Sequence, residues 1–157
     1  MKEINNPRRP GASTGTEKKL LLYVEDNEDN RTTARVNLER KYHLLFAETD
    51  RIACEYFIKH GQDLAVILMD IELQDSRLNG IDLTKLIRGT LDKDKIPIYA
   101  QKVPRLKTPV IFVTAYGNQY ERTQIFLAGG NDIIEKPVDF ISLEMAITKC
   151  HLKSMSR

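Results

Sequence analysis

Five short apolar runs, each followed by a stretch of helical periodicity, limit what this chain can fold into more than any other feature. Residues 20–24, 43–47, 64–69 and 110–113, together with the Ile133-Ile134 pair, read as strands, being short, apolar and bounded by turn or helix signals. Strands that alternate with helices build a parallel sheet, because each return to the sheet needs a crossover helix. The right-handed crossover rule favours a doubly wound α/β arrangement with helices on both faces. A five-stranded parallel sheet of order 2-1-3-4-5 would bring the C-terminal ends of strands one, three, four and five to one crevice. At 157 residues the chain fits one such domain with a buried core.

The helices are bounded by readable signals. The first is expected over about 28–41, with Ala34 and Leu38 inward, and the second opens at Thr49 or Asp50 and stops at Gly61. Ile52, Ala53, Tyr56 and Phe57 recur at helical spacing within it. Asn79-Gly80 starts the third helix, which bears Leu83, Leu86 and Ile87 and is capped by Gly89. Asn118 with Glu121 three residues on reads as a capping box for the fourth, which ends at Gly129-Gly130. The fifth runs from about Asp139 and presents Phe140, Leu143 and Ile147 on one face.

Two segments stand outside this alternation. Residues 1–19 carry Pro7, Pro10, Gly11 and Gly15 among polar and basic side chains, and read as a disordered basic tail before a folded domain at 20–153. Residues 90–108 form an extended connection between the third helix and the fourth strand, where about two to six residues are usual. Ile96, Ile98, Tyr99 and Val103, with Lys102, Arg105 and Lys107 around them, fit an extra strand or a packed patch, structural or for docking a partner. Connectivity puts this segment at the N-terminal end of the sheet, away from the crevice.

Composition removes several roles. A net charge of +2 without a local basic patch gives no reason to expect nucleic acid. No apolar run approaches the roughly 18 residues of a membrane span, and the polar first residues give no signal peptide, so a cytoplasmic setting without a membrane partner is expected. Cys54 and Cys150 lie in helical patterns without CxxC spacing and read as buried reduced thiols. His43, His60 and His151 are scattered, with no second ligand nearby.

The chemistry sits at the strand ends. Strand one runs into Glu25-Asp26, strand three into Asp70 and strand four into Thr114, and Lys136-Pro137 follows strand five. Three carboxylates, a hydroxyl and an ammonium in one crevice suit a divalent cation and a phosphoryl group. Two carboxylates about 4 Å apart repel by roughly 4 kcal/mol at an effective dielectric near 20, so the trio needs a cation. Magnesium is hard and octahedral, taking one or two carboxylates and keeping waters and phosphate oxygens. Taken singly, each residue has an ordinary explanation. Acids favour helix N-termini, an aspartate after an apolar run is often a cap, and Lys-Pro is a common loop pair. Their coincidence at four strand ends favours the functional reading.

The segments VEDNEDN, ILMDIEL, VIFVTAYG and DIIEKPVD, in that order, resemble the receiver domain of bacterial two-component response regulators over about residues 20–151. The resemblance implies a flavodoxin-like fold and a phosphoacceptor signalling protein rather than an enzyme, with Mg²⁺ as cofactor. Asp70 would take a phosphoryl group from a histidine kinase or a histidine phosphotransfer protein. Glu25, Asp26, Asp70 and the backbone carbonyl of Glu72 would hold the metal. Thr114 would turn toward the phosphoryl oxygen, Lys136 would pair with it, and the Lys136–Pro137 bond would be cis. Ala115 is small enough to leave an approach path. Phosphorylation would shift the surface of the fourth helix, fifth strand and fifth helix toward a downstream protein, or toward a second copy in a homodimer. No output domain fits after Ile147, so the chain is expected to act alone or as a piece detached from a hybrid histidine kinase.

The chain departs from that family in several places. The loop between Asp70 and Gly80 is slightly longer, filled by Gln74-Asp75-Ser76-Arg77-Leu78. Ile133, three residues before Lys136, stands where an aromatic switch residue is usual. Tyr116, two after Thr114, is the expected substitute for readout, or a shield for the acyl phosphate; a plain surface tyrosine fits its position as well. The Glu72 side chain, beside the acceptor, either repels an attacking anion or orients a water. Two rivals stay open. One is a receiver-like binding module that is never phosphorylated. The other is a phosphatase with Asp70 as nucleophile and Glu72 as general acid, which would leave Glu25-Asp26 unexplained.

Overall fold

The computed structural model describes residues 17–115 and 117–156. Every apolar run forms a strand: β1 (Lys19–Val24), β2 (Tyr42–Ala47), β3 (Leu64–Met69), β4 (Val110–Thr114) and β5 (Asp132–Glu135). They make one parallel sheet in the order β2-β1-β3-β4-β5, as the sequence predicts. Between and after them lie α1 (Glu28–Leu38), α2 (Asp50–His60), α3 (Gly80–Arg88), α4 (Gln119–Ala128) and α5 (Phe140–Met155).

The two-residue period of a strand divides the core. Leu22, Val24, Ile67, Met69, Val110 and Phe112 point to one face, where Phe57, Ile87 and Ile125 of α2, α3 and α4 close over them. Leu21, Tyr23, Val66, Leu68, Ile111 and Val113 point to the other, under Ala34 and Leu38 of α1 and Leu143 and Ile147 of α5. Cover on both sides is why these runs are apolar throughout instead of alternating. Burying each large apolar side chain contributes about 1.5–3 kcal/mol, so the strands are anchored and their ends are fixed in space.

Caps set where the helices begin. The Thr49 side chain accepts from the Ile52 N–H at α2, and Asn79 and Asp82 form a reciprocal capping box at α3. Asn118 accepts from the Glu121 N–H at α4, and Gly89 (φ 78°) ends α3 in the left-handed conformation. Helix α1 stops at Leu38, short of the expected Lys41, because the Lys41 N–H turns back to the Leu38 carbonyl before β2 starts. Cys54 and Cys150 are buried free thiols. Among the described residues no helix is long and apolar enough to cross a membrane.

The 90–108 segment differs from its expected position. It forms no strand; Lys93–Lys95 and Ile98–Ala100 are single 3-10 turns. Leu91, Ala100 and Leu106 are buried in the core under α2 and α3, and Ile96, Tyr99 and Val103 pack against it. These apolar residues draw the segment along the flank of α2, and the Tyr99 hydroxyl reaches Asp50, just beyond the C-terminal end of β2. The segment therefore does not stay at the far end of the sheet. The expected disordered tail falls largely on residues outside those described, and Lys18 and Lys19 are already ordered, Lys19 within β1.

Candidate functional site

Beyond Val24 the Glu25 N–H still donates to the Ala47 carbonyl, so the sheet pairing continues one residue further and carries the Glu25 side chain inward. That carboxylate is fully buried, which is tolerable only with donors around it. It has four: the Tyr23 hydroxyl at 3.2 Å, the Asn27 N–H at 3.1 Å, Asn30 Nδ2 at 3.2 Å and Lys136 Nζ at 2.6 Å. Asp26, next along, accepts the Gln74 N–H at 2.8 Å. At the end of β3 the Asp70 N–H donates to the Val24 carbonyl, which locks the two acidic strand ends together. Asp70 Oδ1 accepts from the Ile71 N–H at 2.8 Å and Oδ2 from Lys136 Nζ at 2.9 Å.

Thr114, fully buried, is the last residue of β4, and its carbonyl accepts from the Lys136 N–H at 2.8 Å. That bond holds the turn carrying Lys136 against β4, and the Lys136–Pro137 peptide is cis. Helix α3 starts as close to the acceptor as a backbone allows. A Cβ on Gly80 would sit 1.9 Å from the Asp70 carbonyl oxygen.

Oxygens of Glu25, Asp26 and Asp70 all lie within 4.8 Å of one another. Three carboxylates against one ammonium leave two negative charges unbalanced. Burial, with the Glu25 charge added, pushes Asp70 up to about 6 despite its bond to Lys136. For Lys136, burial works against its charge, but the hydrogen bonds to Glu25 and Asp70 outweigh it and raise the ammonium above its ordinary value. Burial likewise keeps the Tyr23 hydroxyl protonated, with Glu25 and Asp70 adding to the rise. An all-oxygen donor set short of two positive charges fits Mg²⁺.

The remaining expected residues fall around this centre or away from it. Ala115 is exposed just beyond Thr114, and Pro137 is exposed beside Lys136. Both Lys136 and Pro137 line a small cavity of about 200 Å³ with Tyr23, Asn30 and Phe140. Ile133 is half-buried and packs against the α2–α4 core. Glu72 has an exposed side chain, and its carboxylate is not part of the metal-sized cluster. Tyr116 lies outside the described residues. A larger hollow of about 680 Å³, lined by Arg88, Lys107, Asn131 and Lys149, lies at the opposite end of β4 and β5 and holds none of the expected residues.

Sequence reasoning missed Tyr23, Asn30 and Asp50. The first two satisfy Glu25. Asp50 read only as a helix opener, since it and Thr49 both qualify as a cap. Thr49 takes the cap, and the Asp50 carboxylate, 2% exposed, turns inward instead. Its Oδ2 accepts from the Arg77 N–H at 3.2 Å, the Leu78 N–H at 3.0 Å and the Tyr99 hydroxyl.

Comparison with known proteins agrees with this geometry. Residues 21–148 match the response regulator receiver domain family. The chain is 32% identical over 148 residues to the oxidative stress response two-component system protein SSK1 of Candida albicans; the match covers 82% of this chain and 21% of that protein, so the chain spans about a fifth of its relative. The receiver domain of Ssk1 from Saccharomyces cerevisiae, solved in complex with the histidine phosphotransfer protein Ypd1, aligns over 87% of this chain and 91% of that one at 27% identity, with a TM-score of 0.67. The receiver domain of a sensor histidine kinase from Pseudomonas aeruginosa, with magnesium in its active-site cleft, aligns over 86% of this chain and 98% of that one at 26% identity and a TM-score of 0.66. With that match spanning most of its length, and an acidic crevice at the ends of a sheet in the order 2-1-3-4-5, this chain belongs to the response regulator receiver domain family.

Proposed function

We propose that Asp70 accepts a phosphoryl group from a phosphohistidine, with Mg²⁺ held by Glu25, Asp26, Asp70 and the Glu72 carbonyl, and that the modified domain then binds a different protein. The observation that carries this reading is the Lys136 ammonium bonded to both Glu25 and Asp70, residues 111 and 66 positions away in sequence. In the transfer, an Asp70 carboxylate oxygen forms a bond to phosphorus while the phosphorus–nitrogen bond to the donor imidazole breaks. Bound Mg²⁺ would neutralise charge on the transferring oxygens. The chain's own residues do the rest: the Ile71 N–H orients the acceptor, Lys136 balances the added charge, and Thr114, at the end of β4, would supply a hydroxyl for a phosphoryl oxygen.

The phosphodonor is proposed to be a histidine phosphotransfer protein, by analogy with the partner of the Saccharomyces cerevisiae relative, or a histidine kinase acting directly. A phosphoryl group adds charge and strong acceptors at the crevice. The surface of α4, β5 and α5 is the proposed readout, toward a downstream protein or a second copy, in the cytoplasm. Domain limits of 20–153, a tail at 1–19 and tuning roles for Ala115, Tyr116, Ile133 and Pro137 belong to the same reading.

Incubation with Mg²⁺ and acetyl phosphate, followed by intact mass measurement, tests it. The expected result is one added phosphoryl group in the wild type and none in Asp70→Asn or without Mg²⁺. No adduct in the wild type, or an adduct that persists in Asp70→Asn, would overturn it.

A further inference from the structure

We infer that Tyr99 and Asp50 are positioning residues for Asp26, acting through the loop between β3 and α3; this rests on the proposed metal site. The loop is held at two places. At its near end the Gln74 N–H donates to Asp26 Oδ2 at 2.8 Å, so the loop backbone fixes the orientation of a carboxylate in the metal-sized cluster. At its far end residues 76–78 are tied to Asp50. Ser76 Oγ accepts the Asp50 N–H at 2.9 Å, and the Arg77 and Leu78 N–H groups both donate to Asp50 Oδ2.

Asp75, between the two ties, turns the chain with a φ of 58°, in the left-handed region that aspartate enters more readily than most non-glycine residues. The loop is thus drawn across from Asp26 to α2. What holds Asp50 itself is the 90–108 segment. The Tyr99 hydroxyl bonds to the same carboxylate oxygen, and Arg51 stacks over the Tyr99 ring at 4.4 Å, which fixes the ring from outside. Ala100, next to Tyr99, is buried in the core, so the anchor is rigid. Tyr99, Asp50, residues 76–78, Gln74 and Asp26 therefore form one continuous hydrogen-bonded and covalent chain. Mutating a group that orients a metal ligand typically costs about 10- to 100-fold in metal affinity. The extended connection, through Tyr99, thereby sets how well the crevice is prepared for a cation.

The test compares wild type with Tyr99→Phe, Ser76→Ala and, as a control, Ile98→Ala. Tyr99→Phe keeps the ring and removes only the hydroxyl. Ser76→Ala removes one of the three bonds of the second tie, the acceptor of the Asp50 N–H. Ile98, next to Tyr99 in sequence, is 86% exposed and supplies no side-chain hydrogen-bonding group. The readouts are the Mg²⁺ dissociation constant by calorimetry and hydrogen exchange at the Gln74 amide. Tyr99→Phe and Ser76→Ala act on Asp26 only through the loop, so they are expected to bind Mg²⁺ roughly threefold to tenfold more weakly, below the about 10- to 100-fold of a direct ligand partner, and to exchange the Gln74 amide faster, while Ile98→Ala matches wild type in both. Unchanged affinity and unchanged Gln74 exchange in the two loop variants, with wild type binding Mg²⁺ normally, would overturn this inference alone. Wild type that binds no Mg²⁺ would overturn the site reading and this inference with it.

Discussion

At Asp70 the fold holds a carboxylate that burial and Glu25 push up to about 6, and the direction of that shift fixes its effect on stability. Its folded value lies above the ordinary 3.8, so the folded state binds the proton more tightly than the unfolded one. Ionising Asp70 therefore costs stability, starting as pH rises past about 4 and in full above about 6. Without metal, Asp70→Asn is expected to be more stable than wild type at pH 7.5 by about 1–2 kcal/mol, after allowance for solvent at the outer oxygen. The gain should disappear at pH 4, and urea denaturation in chelator at both pH values checks it. Lys136 acts in the opposite sense. Lys136→Met removes the shortest donor from the buried Glu25 carboxylate and should cost about 1.5–3 kcal/mol in metal-free protein. Added Mg²⁺ should restore part of that loss, because a bound cation replaces the missing charge; the same denaturation with and without Mg²⁺ measures it.

Among the elements, α3 is the one whose start matters most to the crevice. Its capping box makes two reciprocal bonds, so Asn79→Ala should lower stability by about 1 kcal/mol, read as a shift in urea midpoint. Gly80→Ala is a sharper test, since its Cβ would meet the Asp70 carbonyl. Relieving that clash moves the end of β3, and the expected outcome is a loss of about 1–3 kcal/mol together with slowed phosphorylation by acetyl phosphate. The strands and caps were legible in the sequence because periodicity and cap chemistry are local: Leu64–Met69 and its Asp70 need no distant residue to be read. Asp50 was not legible, because its burial depends on Tyr99 arriving from a segment 49 positions away. Nothing local distinguishes an aspartate that caps a helix from one that turns inward behind a threonine cap.

In the whole molecule, the order of the strands brings Glu25, Asp26, Asp70 and Lys136 from distant parts of the sequence to one crevice, and that order was readable, since connection rules leave few topologies for five alternating units. The path of 90–108 was not, because connectivity fixes where a segment leaves and re-enters the sheet but not which flank its apolar residues seek. Leu91, Ala100 and Leu106 chose the flank of α2 and brought the segment up to the loop beside the acceptor. Whether Asp70 is the acceptor is decided by reductive trapping. Protein treated with Mg²⁺ and acetyl phosphate is reduced with borohydride, which converts an acyl phosphate to an alcohol, and its peptides are sequenced by mass spectrometry. Homoserine is expected at position 70, with every other carboxylate unreduced. Homoserine at Asp26, or the longer alcohol 5-hydroxynorvaline at Glu25 or Glu72, with Asp70 intact, would contradict it.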